Sequence, residues 1–376
     1  MRKSAALLVL TVSMCLPGLL RAADGKRIAV IHTTDLYHPP GDPDDHVDLA
    51  TLFALEEFDV RAVLFDRDYS LMKPGKAGDP AREPGFVPLA QLTFLVGQSM
   101  RCAAGPSTPL KTLSDPATDQ PRQDQAAITM LLETLRESPD PVVVTVLGSA
   151  RIVAAAFNRD PQLLRKKIRS ILVNAGSSDE GPLEHNVRLD PKAYAQLFRS
   201  GLPVDWYPCS AKGTNPVTAF NSGEHNTFWR VEHQQLLRDL PQPLLGWFVH
   251  GFTGNMRGDV LRALREQGRG ATAGLTLSGN RNMWSTASLV VAAGRVLART
   301  PQGWRFEHPS KVPANAETEL LALDPVTVTA DDEGRTKWAP AGASSPVRIF
   351  RRVPGPRHDT AIAEALNALL RAMPVE

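Results

Sequence analysis

Apolar positions in this chain fall into short runs separated by polar, proline- or glycine-containing stretches, and the runs alternate in type. Arg27 to Thr33 is rich in β-branched apolar residues and ends at Thr34-Asp35, as expected of a buried strand. The loop from Leu36 to Gly41 holds enough proline and glycine to forbid regular structure. A helix is then expected from Pro43, with Asp42 as N-cap, Pro43 at the first helical position, and Leu49, Phe53 and Leu55 among its apolar positions. Val60 to Phe65 predicts a second strand and Val87 to Val96 a mostly apolar helix. Arg101 to Pro121, with four prolines, predicts an irregular excursion. Helices are expected over Gln123 to Arg136, Ala150 to Asn158 and Pro191 to Arg199. Strands are expected over Val142 to Leu147, Ile171 to Asn174 and Val204 to Tyr207. A helix-rich stretch from Phe228 to about Arg265 follows, then short strands near Val326 and Val347 and a helix from Thr360 to Ala372. Strand and helix in alternation imply an α/β fold: a mostly parallel open sheet flanked by helices.

Composition narrows the picture. A chain of 376 residues with 43% hydrophobic content can bury a full core, and with no internal repeat and no linker one domain is preferred. The first 23 residues read as a signal peptide: Arg2 and Lys3, a mostly apolar run from Ala5 to Leu20, then Ala22 and Ala23 at the cleavage region. The mature protein is therefore expected to be exported, periplasmic or secreted. No later run is long and apolar enough for a membrane span. Cys102 and Cys209 either pair or remain as buried free thiols. With 42 basic and 40 acidic residues, no global field steers the chain to nucleic acid, and Arg165-Lys166-Lys167 reads as a solvated helix face.

The chemistry concentrates at Thr34-Asp35 and Asp42-Pro43-Asp44-Asp45-His46-Val47-Asp48. Open α/β sheets bind ligands beyond the carboxyl ends of their strands, where this cluster falls. Carboxylates crowded there repel one another unless a cation neutralises them, and oxygen ligands select calcium or magnesium. The competing reading is that Asp42 and Asp44 only favour the positive end of a helix. No serine-hydrolase elbow, zinc-protease helix, Cys-x-x-Cys or phosphate loop is present.

The ordered series of motifs resembles the inosine-uridine nucleoside hydrolase family over most of the mature chain. Asp35 followed by Asp44-Asp45 and an apolar helix resembles that family's amino-terminal aspartate motif, with a longer spacer. Arg101 to Gly105, through Pro109-Leu110, resembles its next strand and loop. Leu147-Gly148-Ser149-Ala150 resembles the stretch that gives the metal a backbone carbonyl. Glu184-His185-Asn186 and Asp190-Pro191 resemble the segment that grips ribose hydroxyls. The resemblance implies that Asp35, Asp45 and the Leu147 carbonyl hold Ca²⁺ and that Asp35 deprotonates a metal-bound water, which attacks the anomeric carbon. It also implies that Asp44, Glu184 and Asn186 bind the sugar, and that the reaction is hydrolysis of an N-glycosidic (ribosyl) bond in a nucleoside or related glycoside. Relatives in the family are commonly homo-oligomers.

One departure stands out. Where the family has a late metal-ligating aspartate, this chain has Ser285 in Met283-Trp284-Ser285-Thr286-Ala287, and Trp284 stands where the proton donor often sits. Ser285 offers the metal only a neutral oxygen, with Asp42, Asp48 and the long loop as sources of a replacement ligand. His46, His185 and His250 are candidates for the leaving-group acid. Trp284 either stacks on the substrate or packs in the core. Asn280, Arg281 and Asn282 line the same pocket or form a turn, and Thr33 stands where the family commonly has another aspartate. The alternative function is a calcium-assisted sugar- or nucleoside-binding protein that keeps the fold without turnover.

Overall fold

The computed structural model describes residues 26–375 apart from 41–42, 74–80, 180–182, 212–222, 254–258, 267–273 and 275–276. The signal segment, Asp42 and most of the 267–276 stretch thus lie outside the described residues. A nine-stranded sheet forms the centre. Its strands in chain order are β1 (Ile28–Thr34), β2 (Phe58–Phe65), β3 (Cys102–Ala104), β4 (Val142–Val146), β5 (Ile168–Val173), β6 (Val204–Trp206), β7 (Leu321–Ala330), β8 (Thr336–Pro340) and β9 (Val347–Arg352). Across the sheet they run β3-β2-β1-β4-β5-β6-β9-β7-β8. Every pairing from β3 to β9 is parallel, and β7 and β8 add an antiparallel edge.

The continuous apolar runs exist because both faces of this sheet are covered. On β1, Val30 points into one core with Val47, Leu49, Trp247 and Phe248, while Ala29 and Ile31 point into the other with Ile128, Val144, Ile152 and Tyr194. The first core is closed by helices α1 (Asp44–Ala54), α2 (Phe86–Leu95), α8 (Gln242–Phe252), α9 (Thr286–Ala292) and α10 (Pro356–Arg371). The second is closed by α3 (Ala126–Glu137), α4 (Arg151–Arg159), α5 (Pro161–Lys167) and α7 (Pro191–Arg199). The short α6 (His185–Leu189) lies before α7 at the sheet's carboxyl edge. Each fully buried aliphatic side chain in these layers contributes about 1.5–3 kcal/mol.

Most expected elements are present with ends shifted by a few residues. Helix α1 starts at Asp44, and Pro43 itself is the N-cap, with no side-chain capping bond. The region from Phe228 is not helical at its start: Trp229–Glu232 is a strand, paired antiparallel with Asn280–Met283. Asn280, Arg281 and Asn282 therefore belong to a ribbon rather than a turn. The hairpin Val296–Thr300 and Gly303–Glu307, in which Trp304 and Phe306 are buried, is a further element that the reading of the sequence did not include. Cys102 and Cys209 are free thiols. Among the described residues no helix is long and apolar enough to cross a membrane.

Candidate active site

The parallel ladders deliver their loops to one place. The Thr33 carbonyl at the end of β1 accepts the Leu147 N–H (3.0 Å) and the Thr34 carbonyl accepts the Asp66 N–H (2.8 Å). The turns after β1, β2 and β4 therefore meet at the carboxyl edge of the sheet, the position favoured for ligand binding in open α/β folds. Gly148 lets them close: a Cβ there would fall 2.9 Å from the Asp35 Cβ and 3.0 Å from its backbone nitrogen.

A cavity of about 390 Å³ opens at this point, lined by Asp35, Tyr37, Asp44, Asp45, Arg82, Leu147, Glu184, His185, Asn186, Cys209, Trp284 and Ser285. Asp35, Asp44, Asp45, Leu147, Glu184, Asn186, Trp284 and Ser285, the residues that the resemblance gave to catalysis, substrate and metal, are all in this lining. Thr34 Oγ1 donates to Asp45 Oδ1 (3.0 Å) and accepts the Leu36 N–H, tying the loop after β1 to the first turn of α1. Glu184 caps α6, accepting the N–H groups of Asn186 (3.0 Å) and Gly176 (2.9 Å). The Asn186 amide nitrogen donates to the carbonyls of Asn174 (3.0 Å) and Leu147 (3.4 Å), which leaves its oxygen as the acceptor.

Electrostatically the cavity is a carboxylate trap. Burial pushes the Asp35 carboxyl up to about 8, and the nearby Asp66 and Glu184 carboxylates push the same way. Asp45 is driven well above the usual carboxylate range by burial, then by Asp35, Asp44 and Asp48. Both residues look into the cavity and are enclosed by protein elsewhere, which concentrates the repulsion there. The donors are hard oxygens, two acidic side chains, one carbonyl and one hydroxyl, a set that suits a divalent cation such as calcium or magnesium. Among the described residues the one compact group of three acidic or histidine ligands is elsewhere: Glu56, Glu57 and His308 lie at the amino end of β2. There Arg295 already holds Glu57 through Nε (2.7 Å) and Nη2 (3.2 Å), which makes that group an ion-pair knot.

Several expectations are corrected. His46 and His250 are fully buried and absent from the cavity lining, so neither reaches a leaving group there. Burial lowers His46 to about 3 and His250 to about 4, which makes both neutral. His185 alone of the three reaches the cavity. Thr33 turns toward β4, its hydroxyl donating to the Thr145 carbonyl (2.8 Å), so it does not stand in for an aspartate. Trp284 lines the cavity and also leans on Phe228, ring centres 5.8 Å apart, so the substrate-facing and packing roles coexist.

Sequence reasoning missed three features. Arg82 and Tyr37 reach the cavity through a two-residue ribbon in which Tyr37 faces Pro84 and His38 faces Glu83. No periodicity marks so short a pairing. Gly85 seats it, since a Cβ there would fall 2.6 Å from the Leu36 side chain. Beneath the cavity the fully buried Arg151 binds Asp190 (3.2 Å), Asp68 (3.1 Å) and the Leu189 carbonyl (2.7 Å), with Asp66 at 3.9 Å. This guanidinium joins the turns after β2 and α6, and the Asp190-Pro191 dipeptide was the only signal of it.

The family model for inosine-uridine preferring nucleoside hydrolases matches residues 87–273, which include Leu147, Glu184 and Asn186 but not the aspartates after β1. The pyrimidine-specific ribonucleoside hydrolase RihA of Citrobacter koseri is 28% identical over 182 residues, 43% of this chain and 55% of that protein. The match thus spans about half the length of that curated relative. The fold likeness extends further. A purine-preferring ribonucleoside hydrolase from Gardnerella vaginalis superposes with TM-score 0.54 at 16% identity, covering 91% of this chain and 99% of the other. A plant nucleoside hydrolase superposes with TM-score 0.52 at 17% identity, covering 92% and 99%. Through its middle the chain thus matches the inosine-uridine preferring nucleoside hydrolase family in sequence, and along most of its length it shares the fold of nucleoside hydrolases.

Proposed function

We propose that this protein hydrolyses the N-glycosidic bond of a ribonucleoside or a closely related riboside, in a reaction that depends on Ca²⁺. The observation that carries this reading is the convergence of Asp35, Asp44, Asp45, Leu147, Glu184, Asn186, Trp284 and Ser285 on one cavity at the carboxyl ends of the parallel strands. Asp35, Asp45, the Leu147 carbonyl and Ser285 would hold the cation. Bound there, it would offset the carboxylate repulsion and acidify a water.

The chain's own residues do the rest. Asp35 takes a proton from the attacking water. Asp44, the fixed Glu184 carboxylate and the Asn186 oxygen accept hydrogen bonds from the sugar hydroxyls and hold the anomeric carbon before that water. Charge builds on the departing base as the bond breaks, and Arg82 and His185 line the cavity as the side chains able to offset it. Trp284 supplies a flat apolar face for the base. The signal-like first 23 residues extend the proposal to an exported enzyme.

Ribose release from a nucleoside panel, with calcium and with a chelator, tests the reading. Calcium-dependent release from at least one nucleoside is expected. Nucleoside binding by calorimetry without release from any of them would favour the second reading, a sugar-binding protein on the same fold, for which Ser285 in place of a carboxylate is the supporting observation.

A further inference from the structure

Asp48 lies three residues after Asp45 on α1, on the same side of the helix, yet it does not line the cavity. It is 1% exposed, and neither carboxylate oxygen has a hydrogen-bond partner. Among the described residues no basic side chain pairs with it. An isolated buried carboxylate is costly and is normally paired, protonated or bound to a cation. What lies beside it is informative: α1 packs on α9, whose N-cap is Ser285, and the Ser285 side chain is close enough to favour the charged form of Asp48 although outside ordinary hydrogen-bond geometry. Ser285 thus stands between Asp48 and the cavity, with Asp45 close enough to feel the charge of Asp48.

We propose that Asp48 and Ser285 act as one unit that supplies negative charge to the cation site from its α9 side. Ser285 donates its hydroxyl proton to Asp48 and turns its oxygen lone pairs into the cavity. The charge missing from position 285 sits one layer back, on α1, and a neutral ligand is made a stronger donor by the carboxylate behind it. This rests on the calcium site of the preceding section and adds Asp48 to it as a positioning residue.

The test is calorimetric titration of the full chain with calcium, together with thermal unfolding in chelator, for the native protein, Asp48→Asn, Ser285→Ala, the double change of both, and Asp48→Asn with Ser285→Asp. Losing a partner behind a metal ligand weakens affinity by about 10- to 100-fold, and that loss is expected for Asp48→Asn. Asp48→Asn should melt no lower than the native protein in chelator, because the amide keeps the size of a carboxyl that makes no hydrogen bond there, so weak calcium binding cannot be ascribed to misfolding. Ser285→Ala should lose a comparable factor, the double change little more than either alone, and Asp48→Asn with Ser285→Asp should return to within about threefold of the native affinity. Native-like affinity in Asp48→Asn would overturn the proposal while leaving the calcium site standing. Absence of calcium binding by the native protein would overturn both.

Discussion

Helix α1 carries two sets of buried polar groups that respond to burial in opposite ways. Asp44, Asp45 and Asp48 lie toward the cavity, where burial raises the carboxyls of Asp45 and Asp48, the latter to about 8, and neighbouring carboxylates push Asp45 further. His46, on the same helix, turns into a group with His38 and His250, the last two stacked with ring centres 5.4 Å apart. Both ring nitrogens of His46 and of His250 lack hydrogen-bond partners. An imidazole can answer burial by remaining neutral at physiological pH, and nothing further is required of it. A set of carboxylates can discharge only by taking up protons or by holding a cation, and the proposed cation site rests on that difference between the two sides of α1.

The largest effect expected from breaking this contrast is at Asp45. Asp45→Asn keeps the size of the side chain and its link to Thr34 but removes the charge at the centre of the cluster. Calcium binding by calorimetry should become undetectable, and ribose release should fall by at least about 10³-fold, as expected when both an electrostatic stabiliser and the cation it holds are lost. Retained calcium affinity in this variant would move the cation site elsewhere.

Next in size is Gly148→Ala. Its methyl group would press on the Asp35 Cβ and backbone, both within about 3 Å. Overpacking of this kind costs about 1–3 kcal/mol in stability, and displacing a catalytic group by about 1 Å costs about 10²-fold in rate. The fall should appear in kcat, with calcium affinity weakened as well because Asp35 is shared. Native activity in this variant would mean that Asp35 is not the base.

The pH dependence of unfolding separates the two sides of α1 directly. Asp35 and Asp48 have raised folded-state pKa values of about 8, so their contribution to stability is fully present below the unfolded value of 3.8 and is lost as pH rises through about 8. His32 and His46, held near 3, and His250, near 4, behave oppositely: below the unfolded value of 6.5 the unfolded chain binds protons that the fold refuses. Between about 6.5 and 8 only the acidic side slopes, so the melting temperature in chelator should fall as pH rises through that window. Calcium, which binds the deprotonated carboxylates, should flatten the slope, while acid destabilisation below 6.5 should persist with calcium present. Equal slopes with and without calcium would remove the link between the cluster and a cation.

How much of this was legible in the sequence follows the same division. The strands β1, β2 and β4 are buried on both faces and so read as mostly apolar runs, and α7 opens at Pro191 as expected, with Asp190 capping it. Asp35, Asp44, Asp45, Glu184 and Asn186 were legible because carboxylates and amides at strand ends and helix starts form short, ordered motifs. Arg82 and Arg151 were not, since one depends on a two-residue ribbon and the other on turns that meet only after the sheet has assembled. The Trp229–Glu232 strand was read as helix because its pairing partner lies some fifty residues on and local pattern could not arbitrate. His46 and His250 were misjudged for a related reason: a histidine beside an aspartate motif has the same letters whether it faces the substrate or the core.

That last ambiguity yields the smallest expected effect and the sharpest test of the contrast. His250→Leu replaces a neutral, unpartnered imidazole on α8 with an apolar group of similar bulk, which should be neutral or mildly stabilising at pH 7 because no hydrogen bond is lost. Activity and calcium affinity should stay within about threefold of native, and the acid limb of the stability profile should become shallower by up to one proton, about 1.4 kcal/mol per pH unit over the range from 6.5 to about 4. A loss of activity near 10²-fold confined to nucleosides, with hydrolysis of a riboside bearing an activated nitrophenyl leaving group unaffected, would instead identify His250 as the leaving-group acid. Such a result would require α8 to shift so that a residue now sealed against His38 could reach the cavity, and the acidic and histidine sides of α1 would then serve one reaction.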